Sequence, residues 1–433
     1  MKITKLLSLL LALTFISGCA ATLDDLSAEQ HEKESGWVGA DSYEVGALVH
    51  GTVTHNRMGE WADLPDDPTL QTRLIDLQLK FVKTTAEDRG WRFNQLSESV
   101  AVTSLQVSDD KVTIQYTAVI DMLGRLSGDV PKLGSLDQYF TALVPVVPSG
   151  FTSHAMDGCA QADADHRGAS YNFHYYFAPE RSDCTIAMTE AEVEITEVFD
   201  RPRTYPEYDR LLQDLGGDKV GFRAALVPNR GDNDPMSRFN SHAEMLEVDL
   251  GLTGVVQPDG FTRYEWNNNG ATMIIDLYDP TQVGWGRGFE ASFRERLKDY
   301  TFVHYNGHSS YGSKHLLDDP DAYSPDYQII VMHSCQSYAY YTRQVFRAKA
   351  TAQDPKGFDG ADIIATGKSS YPSGAPKTLN VLLSHLMLGI EAVLNGQPAI
   401  APDWITIAEK IKRSTWGDIL YGVAGVRDNT WTP

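Results

Sequence analysis

Two short apolar stretches end on residue types that can perform covalent catalysis. The stretch "TFVHYNGHS" (301–309) ends on His308 and Ser309, and "YQIIVMHSC" (327–335) ends on Cys335. A thiolate is a strong nucleophile, and an imidazole can accept the thiol proton and later protonate a leaving amine. Neighbouring strands would bring His308 and Cys335 to one edge of a sheet. The pattern predicts Cys335 as nucleophile and His308 as base, with the backbone N–H groups of Ser309 and Cys335 as oxyanion donors.

The N-terminus has the pattern of a secretory leader. Two lysines precede the apolar run 6–16, which is too short to span a bilayer. The leader ends in "FISGCA", which resembles the bacterial lipobox. That resemblance implies a signal peptide over 1–18 and lipidation of Cys19. It also implies an anchor in the envelope of a Gram-negative-type bacterium, expected at the outer membrane because Ala20 follows rather than Asp. An ordinary cleaved signal with an accidental cysteine is the alternative.

Cysteine usage distinguishes Cys335 from the other thiols. The chain has four cysteines. Cys159 and Cys184 lie in the same loop-rich stretch, and an oxidising compartment favours a disulfide between them. With Cys19 assigned to the lipid, Cys335 is left over. It is either a buried structural residue or a thiol kept for its chemistry.

Length and charge limit the class of protein. The chain has 433 residues, enough for two domains, and a net charge of −21. Such an acidic surface without a basic stripe is not expected to bind nucleic acid. Residues 19–44 are polar and predict a tether, 45–215 predict an α+β domain of unknown role with an antiparallel sheet, and 216–433 predict an α/β domain.

Element order supports this division. In the first half, Asp67 and Pro68 begin a helix that reaches about Asp88, and strands 99–107 and 112–120 form a hairpin. In the second half, continuous apolar strands alternate with helices, which indicates a mostly parallel sheet covered on both faces. The strands are expected at 219–227, 271–279, 301–305, 327–333 and 361–366, and the helices at 234–250, 289–297, 338–350 and 377–395.

The second half resembles the caspase/gingipain clan of cysteine peptidases. That clan has an apolar strand ending in His-Gly, a spacer, and an apolar strand ending in the catalytic Cys. The resemblance implies a caspase-hemoglobinase fold, a peptide or protein substrate cleaved through a thioester intermediate by Cys335 and His308, and no metal or organic cofactor. One departure is that Ser309 stands where the clan has glycine. An inactive caspase-like surface lipoprotein with a binding or assembly role is therefore the alternative.

Other features leave further alternatives open. Histidines crowd the region, and with Cys335 they suggest a zinc site of a metal-dependent hydrolase as the second alternative; they are His304, His308, His315 and His333. The Asn306-Gly307 dipeptide is also a hairpin signal, which would pair the stretches on either side of it without any chemistry.

Loops expected at the same sheet edge supply further candidates for substrate contact. They follow the first and the last predicted parallel strands. The candidate rim residues are Asp232, Asp234, Lys368 and Ser369.

Overall fold

Two β-sheets organise the chain in this computed structural model, a mixed sheet of ten strands and an antiparallel sheet of six. The described residues are 36–149, 158–161, 176–201, 203–231, 233–282, 287–309, 317, 319–417 and 419–433. The expected leader and Cys19 lie outside them, as do Asp232 and His315. Both sheets belong to one compact unit that extends from Ser35 to Pro433.

The antiparallel sheet is formed by the first half of the chain. Its strands are β2 (Ser42–Asn56), β3 (Arg92–Phe93), β4 (Ser99–Val107), β5 (Lys111–Arg125), β6 (Tyr139–Pro145) and β7 (Met188–Val198). The order is β3-β5-β2-β7-β6, and β4 pairs with β5 as the predicted hairpin. Helix α1 (Pro68–Asp88) packs on this sheet, and the Asp67 side chain caps it by accepting from the N–H groups of Thr69 and Leu70.

The ten-stranded sheet belongs mainly to the second half. Its strands are β1 (Trp37–Gly39), β8 (Gln213–Gly216), β9 (Lys219–Pro228), β10 (Val255–Gln257), β11 (Phe261–Asn268), β12 (Ala271–Tyr278), β13 (Phe302–Asn306), β14 (Gln328–His333), β15 (Ala361–Thr366) and β16 (Tyr421–Ala424). The order is β1-β16-β15-β14-β13-β9-β12-β11-β10, with β8 beside β9. The five central strands are parallel to one another, in the order β12-β9-β13-β14-β15, and the flanking strands are antiparallel. The expected parallel sheet is thus the centre of a mixed one.

Helices cover both faces of this sheet. They are α2 (Tyr208–Leu211), α3 (Ser237–Glu244), α4 (Arg287–Asp299), α5 (Arg343–Lys349), α6 (Ala375–Leu394) and α7 (Trp404–Ser414). Residues of α6 and α7 share one core with Val331 of β14, and residues of α4 and α5 share another with Ile330. The two neighbouring strand residues point to opposite faces, so the sheet lies between two helical layers.

Helix α6 is long, apolar and buried. The segment Pro372–Leu394 is long and apolar enough to cross a membrane by length and composition. In the fold, Leu379, Leu382 and Leu386 are fully buried in the core that α6 shares with the sheet. The helix is therefore a core element of the fold.

The end of the expected tether is folded, which corrects the sequence prediction. Residues 37–44 form β1 and the start of β2 instead of a polar linker. Trp37 is buried and packs edge-on against Tyr338, with ring centroids 5.1 Å apart. A three-residue strand has too few positions to display an alternating pattern, so its sequence carries no strand signal. The expected domain boundary at 215–216 falls inside β8.

Candidate functional site

The ends of β13 and β14 lie side by side. The strands are parallel, and Asn306 is the register partner of His333. The Gly307 N–H donates to the His333 carbonyl at 3.2 Å, which extends the pairing by one step. His308 and Cys335 each follow a paired position by two residues, so both emerge at the same sheet edge. The hairpin alternative is wrong, because β9 and β14 occupy both edges of β13.

This edge also contains the point where the strand order reverses. Counted along the chain, the central parallel strands run 2-1-3-4-5, in the order β12-β9-β13-β14-β15. In such sheets, ligands bind beyond the carboxyl ends of the strands where the order switches. Here that point lies between β9 and β13. His308 lies two residues beyond the end of β13, so the position at which the topology predicts a ligand site is the edge that carries His308.

Cys335 lies on a sharp turn between β14 and the helical segment that begins at Ser337. The next residue, Gln336, has a φ of 50°, a left-handed conformation that is uncommon for residues other than glycine. The Gln336 N–H donates to the Lys368 carbonyl at 2.9 Å and holds the turn in place. The Cys335 thiol is free, half-buried, and donates to the Ser370 carbonyl at 3.6 Å. The turn thus presents a reduced thiol at the sheet edge.

The His308 side chain is exposed, and its backbone carbonyl is hydrogen-bonded. The Tyr305 hydroxyl donates to the His308 carbonyl at 2.8 Å. A side chain at position 307 would collide with the Tyr305 hydroxyl and with the Cβ of Asn229, which explains Gly307.

Arg238 contacts the His308 ring, a contact that the sequence analysis missed. Its Nη2 lies 3.3 Å from His308 Nε2, and its Nη1 donates to the Arg230 carbonyl. Arg238 is buried at the start of α3, the helix that follows β9. Its position after the first parallel strand was a usable signal, because that helix begins at the same sheet edge as His308.

The two residues expected to supply oxyanion donors both lie at this sheet edge. Ser309 is buried, and its carbonyl accepts from the Tyr341 hydroxyl. Among the described residues, no backbone carbonyl accepts from the Cys335 N–H.

A groove of about 450 Å³ is lined by Gln336, the residue after Cys335, but neither Cys335 nor His308 is among its lining residues. One wall comes from the rim of the ten-stranded sheet and includes the predicted residues Lys368 and Ser369. The other wall comes from the end of α1 and from β3, so the first half of the chain contributes to the site. The lining residues are Glu87, Asp88, Arg92, Gln336, Lys368, Ser369, Tyr371, Gly417 and Ile419. Asp234 does not line it; its carboxylate accepts from the Met236 N–H at 2.9 Å and closes a local turn.

Ion pairs fix the first half of the chain to the helical segment that follows Cys335. Arg343 of α5 forms a buried pair with Asp121 of β5, and Arg347 pairs with Asp76 at 2.9 Å. The Gln95 N–H donates to the Ala339 carbonyl at 3.1 Å. Because these contacts begin four residues after the thiol, they hold the turn that carries it.

Three buried imidazoles lie beneath the site. The His304 ring centroid is 5.2 Å from that of His242 and 6.4 Å from that of His333. Burial lowers the pKa of His242 and of His333 to about 4, and it lowers the pKa of His304 well below the usual range. All three are therefore neutral at physiological pH.

These imidazoles do not form an evident metal site. The Tyr421 hydroxyl donates to His333 Nδ1 at 2.6 Å, and His333 Nε2 donates to the Tyr371 carbonyl at 3.0 Å, so both ring nitrogens are engaged. In the part of the chain that the structure describes, no three His, Cys, Asp or Glu side chains are arranged to hold a metal ion.

The predicted disulfide is confirmed, since Cys159 and Cys184 are bonded. Comparisons of the chain with protein-family models, curated proteins and solved structures find no match.

Proposed function

We propose that this chain is an exported, lipid-anchored cysteine endopeptidase of the caspase/gingipain type, with Cys335 as nucleophile and His308 as general base and acid. The observation that carries the proposal is the juxtaposition at one sheet edge of a free thiol and an exposed imidazole, each two residues beyond paired positions of adjacent parallel strands. Covalent thiol catalysis requires these two groups to converge.

The surroundings of Cys335 support this assignment. A structural cysteine is usually fully buried, whereas this thiol is half-buried, and the next residue, Gln336, lines a groove. The left-handed Gln336 places the thiol on a constrained turn, and such local strain tends to occur at functional sites. The groove offers space for the polypeptide that flanks the scissile bond.

The reaction follows from the chemistry of the two side chains. His308 takes the thiol proton of Cys335, and the sulfur attacks the peptide carbonyl carbon while the Cys335 N–H stabilises the oxyanion. Collapse of this intermediate breaks the C–N bond, and His308 gives its proton to the leaving amine. Water, deprotonated by the same imidazole, then hydrolyses the thioester and restores the thiol. These steps need no cofactor.

The experiment is cleavage of a complex peptide mixture by the purified full chain, with new termini identified by mass spectrometry. Wild type is expected to cut at reproducible positions, and Cys335→Ala and His308→Ala are expected to lose these cuts. His385→Ala is the matched control, because this imidazole bonds to the Val381 carbonyl within α6. Absence of cleavage by wild type, or its persistence in Cys335→Ala, refutes the peptidase proposal.

The anchor is tested separately. The leader predicts that Cys19 carries lipid, so wild type should incorporate labelled fatty acid and sediment with outer membranes. Cys19→Ser should do neither, while Cys335→Ser should behave like wild type. Equal labelling of the Cys19→Ser chain would refute lipidation at this residue.

A further inference from the structure

We infer that Arg238 is a positioning residue that holds the Cys335–His308 pair in a resting form until a substrate oxygen takes over its guanidinium. This inference rests on the proposed function and adds a control step to it. Its evidence is that each partner of the pair is engaged by another group: the thiol by a carbonyl and the imidazole by a guanidinium.

The contact at His308 determines where its ring hydrogen lies. A guanidinium has five N–H donors and no acceptor, so His308 Nε2 must supply the lone pair at this 3.3 Å contact. A neutral imidazole has one such lone pair, and its hydrogen is then on Nδ1. In this tautomer the ring has no second lone pair with which to accept a proton from Cys335.

The contact at Cys335 agrees with this assignment. The thiol donates to the Ser370 carbonyl at 3.6 Å, which requires that the sulfur keep its proton. Two separate contacts, in the segments that follow two different strands, thus describe the same un-ionised state. Proton transfer from Cys335 to His308 begins only when the lone pair on Nε2 is released.

The position of Arg238 suits a residue that can hold and release the ring. Its Nη1 is fixed by the Arg230 carbonyl, and the residue is buried, so the guanidinium is anchored independently of His308. Carboxylate oxygens form stronger, often bidentate, bonds to a guanidinium than a neutral imidazole does. A carboxylate oxygen of a bound substrate therefore competes for Nη2 and frees the ring.

The first test is on wild type and needs no variant to fold. Nitrogen NMR of the full chain with labelled histidine distinguishes the two neutral tautomers, and His308→Ala identifies the signal among the 12 histidines. The inference requires the hydrogen on Nδ1 of His308. A hydrogen on Nε2 overturns it.

The second test removes the guanidinium. In Arg238→Met, loss of a charge-assisted hydrogen bond should raise the alkylation rate of Cys335 about ten-fold or more, and addition of His308→Ala should abolish the gain. Arg238→Lys, which keeps a cationic donor, should stay closer to wild type. Arg223→Met is the control, because Arg223 of β9 pairs with Asp276 instead. An unchanged rate in folded Arg238→Met refutes the inference.

The two proposals fail separately. Peptide cleavage by a wild-type enzyme whose His308 carries its hydrogen on Nε2 would reject the resting form and leave the peptidase intact. The opposite outcome is also possible to observe: the hydrogen is on Nδ1 and Arg238→Met gains thiol reactivity, but the wild-type chain cleaves no peptide. That outcome would reject the peptidase proposal and leave the contact between Arg238 and His308 as described.

Discussion

Asp362 of β15 gives a sharp test of the electrostatics of the core. Its Oδ2 accepts three hydrogen bonds, from the side chains of Tyr327, Trp404 and Asn429 at 2.6, 2.8 and 2.9 Å. Its Oδ1 is buried without a partner among the described residues. Burial raises the pKa of this carboxyl from 3.8 to about 7, although the three donors oppose the shift.

This shift links the free energy of unfolding to pH. In the unfolded chain Asp362 loses its proton near its ordinary pKa, whereas in the folded chain it keeps the proton until about pH 7. The contribution of Asp362 to the free energy of unfolding is therefore fully present below the pKa of the unfolded state. It is lost as the pH rises through the pKa of the folded state. At about 1.4 kcal/mol per pKa unit, the loss is about 4 kcal/mol at about pH 8, of which about 2.5 kcal/mol develops above about pH 5.

The perturbation is Asp362→Asn. The amide resembles the protonated acid: its oxygen can accept the same three donors, and its NH₂ takes the place of the unpartnered oxygen. Unfolding entropy of about 2 cal/mol/K per residue corresponds, over about 400 residues, to about 1 °C of melting temperature per kcal/mol. We therefore expect the variant to gain about 2–3 °C relative to wild type between about pH 5 and about pH 8.

The assay is thermal unfolding of both chains in matched buffers, followed by circular dichroism. Asp359→Asn is the control, because this carboxylate is exposed and pairs with Arg210 at the surface. Its difference from wild type should not depend on pH. The reasoning about the buried carboxyl is wrong if the difference in melting temperature between Asp362→Asn and wild type is constant with pH. It is also wrong if the variant becomes less stable relative to wild type as the pH rises.

Three further outcomes follow from the core. Burial lowers the pKa of His333 to about 4, so the unfolded chain binds a proton at a higher pH than the folded chain does. The free energy of unfolding should therefore fall by about 3 kcal/mol per such histidine between about pH 6.5 and about pH 4. A urea midpoint that does not fall over this range would contradict this. Reduction of the Cys159–Cys184 bond should cost about 3 kcal/mol in urea unfolding, with no effect of reductant on the double serine variant. Arg343→Met should cost about 3–5 kcal/mol because it leaves Asp121 buried and unpaired, and adding Asp121→Leu should recover most of that loss.

Local pattern accounts for the elements that were predicted correctly. The Asp67 cap, the β4–β5 hairpin and the apolar runs of β13 and β14 are each specified within a short window of sequence. Capping, alternation and continuous apolar character act over a few residues, so they can be recognised without the fold. A covalent pairing of distant residues was recognised for Cys159 and Cys184, because the limited number of thiols restricts pairing.

The features that were missed depend on contacts between distant parts of the chain. Strand β1 pairs with β16 across nearly the whole sequence, and its three residues carry no periodic signal. Arg238 reaches His308 from another element, and a buried arginine in a polar helical stretch has the same local appearance as an exposed one.

The sequence by itself determined which segments become strands and helices, and which residues have the chemistry of a nucleophile and a base, because side-chain type and short-range spacing are local properties. Only the tertiary structure decided what those residues contact. The guanidinium at His308, the carbonyl at Cys335 and the α1 wall of the groove come from elements far apart in the chain. Their positions follow from how the two sheets and their helices pack to bury apolar surface, and no short stretch of sequence specifies that packing.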